Sequence, residues 1–164
     1  MTDYVATGAE TTNQPRSHGG AGDEQVAYSI KTGITATSLL ANDRILVARL
    51  PKGAVIVGGR LFGANADSTG SSSALLDVDV GVDMGGTVDT DQLGNFGILS
   101  AAAVTGVKPE VSYEYPLGGL LRTAGPQTMT GDYNNVYITC VASAAGQDSG
   151  AIGLEIRYKI GSHS

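Results

Sequence analysis

Residues 44–62 constrain this chain more than any other stretch. Two runs rich in Val, Ile and Leu, Arg-Ile-Leu-Val-Ala-Arg-Leu and Ala-Val-Ile-Val-Gly-Gly-Arg-Leu-Phe, are separated by only Pro51-Lys52-Gly53. Each run is short, β-branched and bounded by turn formers, so both read as strands rather than helix. Pro51 presets φ near −65° for a first corner, and Gly53 supplies a left-handed position for the returning strand. The pattern predicts a β-hairpin closed by a bulged type I turn. It contains no chemically activated residue, so it speaks of fold rather than function.

The rest of the chain repeats the strand signal. Residues 25–31 alternate, with Val26, Tyr28 and Ile30 opposite Ala27, Ser29 and Lys31. Residues 33–43 read as a connection ending in an Asn42-Asp43 turn. A small polar loop over residues 63–73 precedes the clearest alternation, in which Leu76, Val78, Val80 and Val82 oppose Leu75, Asp77, Asp79 and Gly81. Residues 83–94 read as a turn-rich loop, and residues 96–104 form the one candidate short helix. Residues 111–115 alternate up to Pro116, and residues 118–123 suggest a further short strand. Two strong strands, 132–143 and 151–160, make a second expected hairpin through the linker 144–150. Roughly seven to nine strands, without a βαβ rhythm or an internal repeat, predict an all-β, antiparallel β-sandwich or jelly-roll-like single domain.

Composition agrees where it bears on the argument. Among 164 residues, 24 are Gly, 16% are charged and none is Trp, which suits short strands and tight turns better than a helical bundle. A chain of this length can bury roughly two-thirds of its unfolded surface in one core. Residues 1–24 are the exception: polar, Gly-rich and aperiodic, they hold too little apolar surface to offset the entropy of ordering. They are expected to form a flexible arm, either an idle tail or a segment that orders against a neighbouring subunit, before a sandwich domain at 25–164. The net charge of −6 provides no general field for nucleic acid or anionic membrane, so neither is expected as a partner. No run approaches the ~18 apolar residues of a membrane span. The opening residues show neither a basic nor an apolar signal region, so synthesis and folding in a cytosol are expected.

The search for chemistry returns little. His18 and His163 are the only histidines, one in the arm and one beside the last residue, whereas a catalytic or metal-binding imidazole must be held rigidly. His18-Gly19-Gly20-Ala21-Gly22 superficially matches an esterase oxyanion loop. The nearest nucleophile motif, Gly70-Ser71-Ser72-Ser73-Ala74, fails at its last position. Cys140, the single cysteine, sits in an apolar run and reads as a buried structural thiol. Gly58-Gly59 lacks the context of a phosphate loop and reads instead as a bulge or a close backbone approach. The best polar cluster is Asp77, Asp79 and Asp83, with Asp89 and Asp91 nearby. On a strand Asp77 and Asp79 share a face with Cβ atoms about 7 Å apart. A Ca²⁺ ion would relieve their repulsion, and a basic partner surface could also meet them. The spacing is not that of an EF-hand, and a solvated strand face is preferred. No catalytic residue, cofactor or metal is assigned.

One likeness adds to this reading. Residues 39–61, Leu-Leu-Ala-Asn-Asp-Arg-Ile-Leu-Val-Ala-Arg-Leu-Pro-Lys-Gly-Ala-Val-Ile-Val-Gly-Gly-Arg-Leu, and residues 75–81, Leu-Leu-Asp-Val-Asp-Val-Gly, resemble small virion structural proteins of tailed bacteriophages. In that family an aliphatic-Pro-x-Gly-Ala hairpin precedes a Ser-rich loop and a Leu-Asp-Val-Gly strand. This chain departs from the pattern in its longer Gly-rich arm and in Asp79 within the strand motif. The resemblance implies a non-enzymatic capsid decoration or cement protein on the virion surface. It would be made in the host cytoplasm, with the major capsid protein and copies of itself, as a homotrimer, for partners. A tail or fibre adhesion module binding host glycan is the alternative, disfavoured by the absence of Trp. A hydrolase is disfavoured by the placement of the histidines.

Overall fold

A computed structural model describes residues 1–7, 24–34, 39–64, 76–96, 110–115, 127–132, 134–143 and 150–160. Every regular element among them is a strand: β1 (Asp3–Val5), β2 (Glu24–Ile34), β3 (Arg44–Leu50), β4 (Ala54–Ala64), β5 (Asp77–Met84), β6 (Thr87–Phe96), β7 (Glu110–Tyr115), β8 (Gln127–Thr128), β9 (Asn134–Ala142) and β10 (Gly150–Ile160). They form two sheets. Sheet A has the order β1-β3-β9-β5-β6; sheet B has the order β2-β10-β4-β7, and β8 also pairs with β4. The all-β sandwich expected from the alternation is what forms. Val78, Val80, Val82, Val136 and Ile138 from sheet A share one buried core with Ile56, Leu61, Leu154, Ile156 and Tyr158 from sheet B. Period-2 patterning puts these side chains on the inner faces, and their removal from water is the main stabilising term.

Both expected hairpins are instead crossings between the sheets. β3 pairs with β1 and β9, whereas β4 pairs with β10, β7 and β8. Likewise β9 lies in sheet A and β10 in sheet B. Gly53 does adopt φ 80°, as expected. The turn itself lies one residue later than a bulged type I turn would put it, with the Ala54 amide donating to the Pro51 carbonyl at 3.1 Å. That gives Gly53 the third position, where a type II turn needs φ > 0. The Gly53 amide donates to the Met129 carbonyl and the Met129 amide to the Ala54 carbonyl, each at 2.8 Å, so the corner is held by another segment rather than by β3.

Among the described residues, a hairpin lies where a loop was expected. β5 and β6 pair through Met84 and Thr87 around Gly85-Gly86, whose φ values are 66° and 97°. Two consecutive left-handed residues are what a type I′ turn requires, and its twist matches the flanking strands. Near Gly58-Gly59, β4 slips register against β10 with Val57 as the extra residue, the bulge anticipated there.

The expectation of a free arm from the first residue is corrected at residues 1–7. β1 pairs in parallel with β3, Ala6 is fully buried, and Thr7 forms an antiparallel bridge with Ile30 of β2. Composition misjudged this segment because its stabilisation comes from backbone pairing and a few specific contacts rather than from apolar area. Phe96 ends β6; the remainder of the candidate helix 96–104, the candidate strand 118–123 and most of the arm lie outside the described residues.

Candidate functional site

The outer face of sheet A carries the polar residues singled out in the sequence. Strand alternation turns Val78, Val80 and Val82 inward and leaves Asp77, Asp79 and Asp83 on the outer side, half-buried. At one register position Asp3, Arg44, Thr139, Asp79 and Asn95 align across all five strands. The Asp77 and Asp79 carboxylates each have one oxygen shielded from water, and the Thr139 hydroxyl is buried without a hydrogen-bond partner among the described residues. This face is therefore less solvated than the alternation alone implies. Asp83 is occupied locally, accepting a hydrogen bond from the Gly86 amide at 2.8 Å in the hairpin turn. The three aspartates do not converge. Among the described residues no three Asp, Glu, His or Cys side chains are grouped to hold a metal ion.

Toward β1 the same face holds a cluster centred on Arg44 that sequence reasoning missed. The Arg44 guanidinium donates from Nε and Nη2 to the two Asp3 carboxylate oxygens, both at 3.0 Å, and lies 4.6 Å from the centre of the Tyr137 ring. The hydrogen bonds it donates to Asp3 hold the Arg44 pKa above its usual value, with burial opposing them. Burial pushes the Tyr137 phenol up, against the opposing effect of Arg44. Next to it the buried Asp43 carboxylate accepts from the Leu40 amide at 3.0 Å and from the Thr2 amide at 2.6 Å. The Leu40 hydrogen bond, then that from Thr2, holds Asp43 below its ordinary pKa despite burial. Asp43, Arg44 and Leu46 thus form a cradle for residues 2–6. The available signal was the alternation of Tyr4 and Ala6 against Asp3 and Val5, but nothing local points to a partner forty-one residues away.

Sheet B offers a different surface. Tyr28 and Phe62 stack with ring centres 5.4 Å apart and planes inclined by 14°. They cross Gly153, where a Cβ would fall into the Phe62 ring and lie 2.8 Å from the Ser29 carbonyl oxygen. Tyr28 and Val26 are about half exposed, and Arg60 lies 5.8 Å from the Phe62 ring centre.

Nothing in the described residues activates a nucleophile. Cys140 is buried, its Sγ donates to the Ala142 carbonyl at 3.4 Å, and burial raises its pKa to about 11, so it stays a neutral thiol. His18, His163 and residues 70–74 lie outside the described residues.

No family model matches the sequence, and neither does any curated protein. Solved structures do match, along almost the whole chain. A chain in the capsid of Ralstonia phage GP4 superposes with a TM-score of 0.67 at 20% identity, covering 99% of this chain and 100% of that one. The fold is one found in phage capsids. A chain of the cyanophage Pam1 capsid asymmetric unit gives a TM-score of 0.61 at 20% identity, covering 92% of this chain and 94% of that one. At this identity the likeness is one of fold.

Proposed function

We propose that the chain is a non-enzymatic bacteriophage virion structural protein, a capsid decoration or cement protein that binds and stabilises the head lattice. The observation that carries this is the end-to-end match with a chain in the capsid of Ralstonia phage GP4, which covers 99% of this chain and 100% of that one. A second capsid match of nearly the same extent supports it. A role of this kind needs a rigid module with specific outer faces, and repeated display on a lattice makes weak contacts effective through multivalency. The partners would be the major capsid protein and copies of the chain itself, on the outside of the virion, with a homotrimer as the symmetric unit.

Purified protein should co-sediment with heads lacking it and raise the temperature at which those heads release DNA, and light scattering should give a trimer. Failure to bind heads would overturn the capsid role. The stacked Tyr28–Phe62 pair, with Tyr28 half exposed and Phe62 partly buried, favours one second reading, a glycan-binding tail module, because sugars stack on such rings. Specific sugar binding on a glycan array, with no binding to heads, would select it.

A further inference from the structure

Residues 1–7 close an open side of the sandwich. The Arg44 amide donates to the Thr2 carbonyl at 3.0 Å, and the Ala6 amide to the Leu46 carbonyl at 3.0 Å. Thr7 and Ile30 exchange two backbone hydrogen bonds, at 2.9 and 3.1 Å. The segment therefore spans from the β3 edge of sheet A to the β2 edge of sheet B. Its side chains are specified as well: Asp3 pairs with Arg44, Ala6 fills the core, and Tyr4 packs against it with the Lys31 ammonium 5.6 Å from its ring centre.

Without this segment Asp43 would keep only the Leu40 amide, Arg44 would lose its carboxylate, and two strand edges would carry free backbone groups. The cradle needs an occupant of this sequence. Which copy supplies it is not fixed by covalent reach. Residues 8–23, sixteen in all, link Thr7 to Glu24, which lies six positions from Ile30 along β2, about 20 Å on a strand. Sixteen residues can extend about 50 Å. That exceeds the ~40 Å expected across a fold of this size.

We propose that in the assembled protein this strand is exchanged, so that residues 1–7 of one copy fill the cradle of a neighbouring copy. Every contact is the same whether made within a chain or between chains, so exchange costs no interaction, and the crowding of copies in an oligomer decides the balance. This rests on the reading that copies stand side by side. It is tested without heads, so its failure is distinct from failure to bind a capsid.

The direct test is a disulfide trap. Thr7→Cys and Ile30→Cys, combined with Cys140→Ser, place thiols on a directly opposed strand pair whose Cα separation, about 5.5 Å, a disulfide can bridge. After oxidation at assembly concentration, more than half of the protein should migrate as linked multimers on a denaturing, non-reducing gel. A monomer band with its thiols consumed, whether or not oligomer forms, overturns the proposal. If the thiols stay free, charge reversal decides. Asp3→Arg alone opposes two guanidinium groups and Arg44→Asp alone opposes two carboxylates; refolding the two variants together should give mixed oligomers melting above either variant alone. A mixture that melts as the sum of its parts overturns the exchange.

Discussion

The corner at Pro51–Gly53 and the hairpin at Gly85-Gly86 lie beside each other and do opposite things. Both place glycine at positive φ after a β-branched run. At Gly85-Gly86 two left-handed residues reverse the chain with the twist of a strand pair, so Met84 faces Thr87 and the ladder continues. At Pro51–Gly53 a single left-handed residue turns the chain out of sheet A and into sheet B. The hairpin is closed by its own strands, with Asp83 bonding the Gly86 amide. The corner borrows its closure from Met129, Asp132 and Asn134. Met129 pairs with Gly53 and Ala54, and the Lys52 ammonium meets the Asp132 carboxylate at 2.9 Å. The two regions touch at Gly131, where a Cβ would lie 2.8 Å from the backbone of Met84 and Gly85. A turn's local sequence can thus specify a bend while leaving the strand's partner to distant segments.

The comparison breaks most sharply at Asn134. Its buried side chain donates to the Leu50 carbonyl at 3.2 Å and to the Gly131 carbonyl at 2.8 Å, and accepts from the Gly131 amide at 2.9 Å. It ties the end of β3 to the clamp that holds the corner. Asn134→Ala strands these backbone groups and should cost about 3 kcal/mol in urea unfolding. A loss below about 1 kcal/mol would mean that the corner holds itself, as the hairpin does.

The same contrast explains what could be read in advance. Strand existence was legible wherever alternation was strong: Val78, Val80 and Val82 on β5, and Leu154, Ile156 and Tyr158 on β10, are buried as their spacing requires. Sheet membership was not. Residues 44–62 look the same whether they pair or cross, and the outcome depends on β9 and β10, about a hundred residues away, competing for the two runs. Gly85-Gly86 was legible in principle as a two-residue turn. It was obscured because Thr87–Phe96 offers only Val88, Leu93 and Phe96 as apolar residues. At the candidate site Asp77 and Asp79 could be placed on one face, but not their partial burial, which neighbouring strands set. The cradle of Asp43 and Arg44 was illegible because its occupant is a parallel strand from the far end of the chain.

A middle-sized effect is expected at the corner's own glycine. Gly53 at φ 80° is replaceable only with strain, and Gly53→Val puts a β-branched side chain into that region, costing about 2 kcal/mol. Thermal unfolding of the variant should show a lower midpoint with the sandwich intact by circular dichroism. An unchanged midpoint would mean that the corner does not need its left-handed residue and that the clamp alone redirects the chain.

The smallest effect should come from the matching change in the hairpin. Gly85 occupies the first central position of the turn at φ 66°, and a Cβ there would meet only the Gly131 Cα, at an ordinary 3.7 Å. Asn tolerates the left-handed region better than other side-chain-bearing residues and is the favoured partner of Gly in this turn type. Gly85→Asn also reduces the freedom of the unfolded chain, which offsets the small residual strain. Stability should therefore stay within about 0.5 kcal/mol of the parent. The value of this variant lies in its contrast with Gly53→Val. Both replace a glycine at positive φ, yet only the hairpin accepts the change, because its geometry matches what an Asn-Gly turn adopts unaided. A loss at Gly85 as large as that at Gly53 would show that the hairpin, too, depends on its contact with Gly131, and the distinction between a self-closed turn and a clamped one would fail.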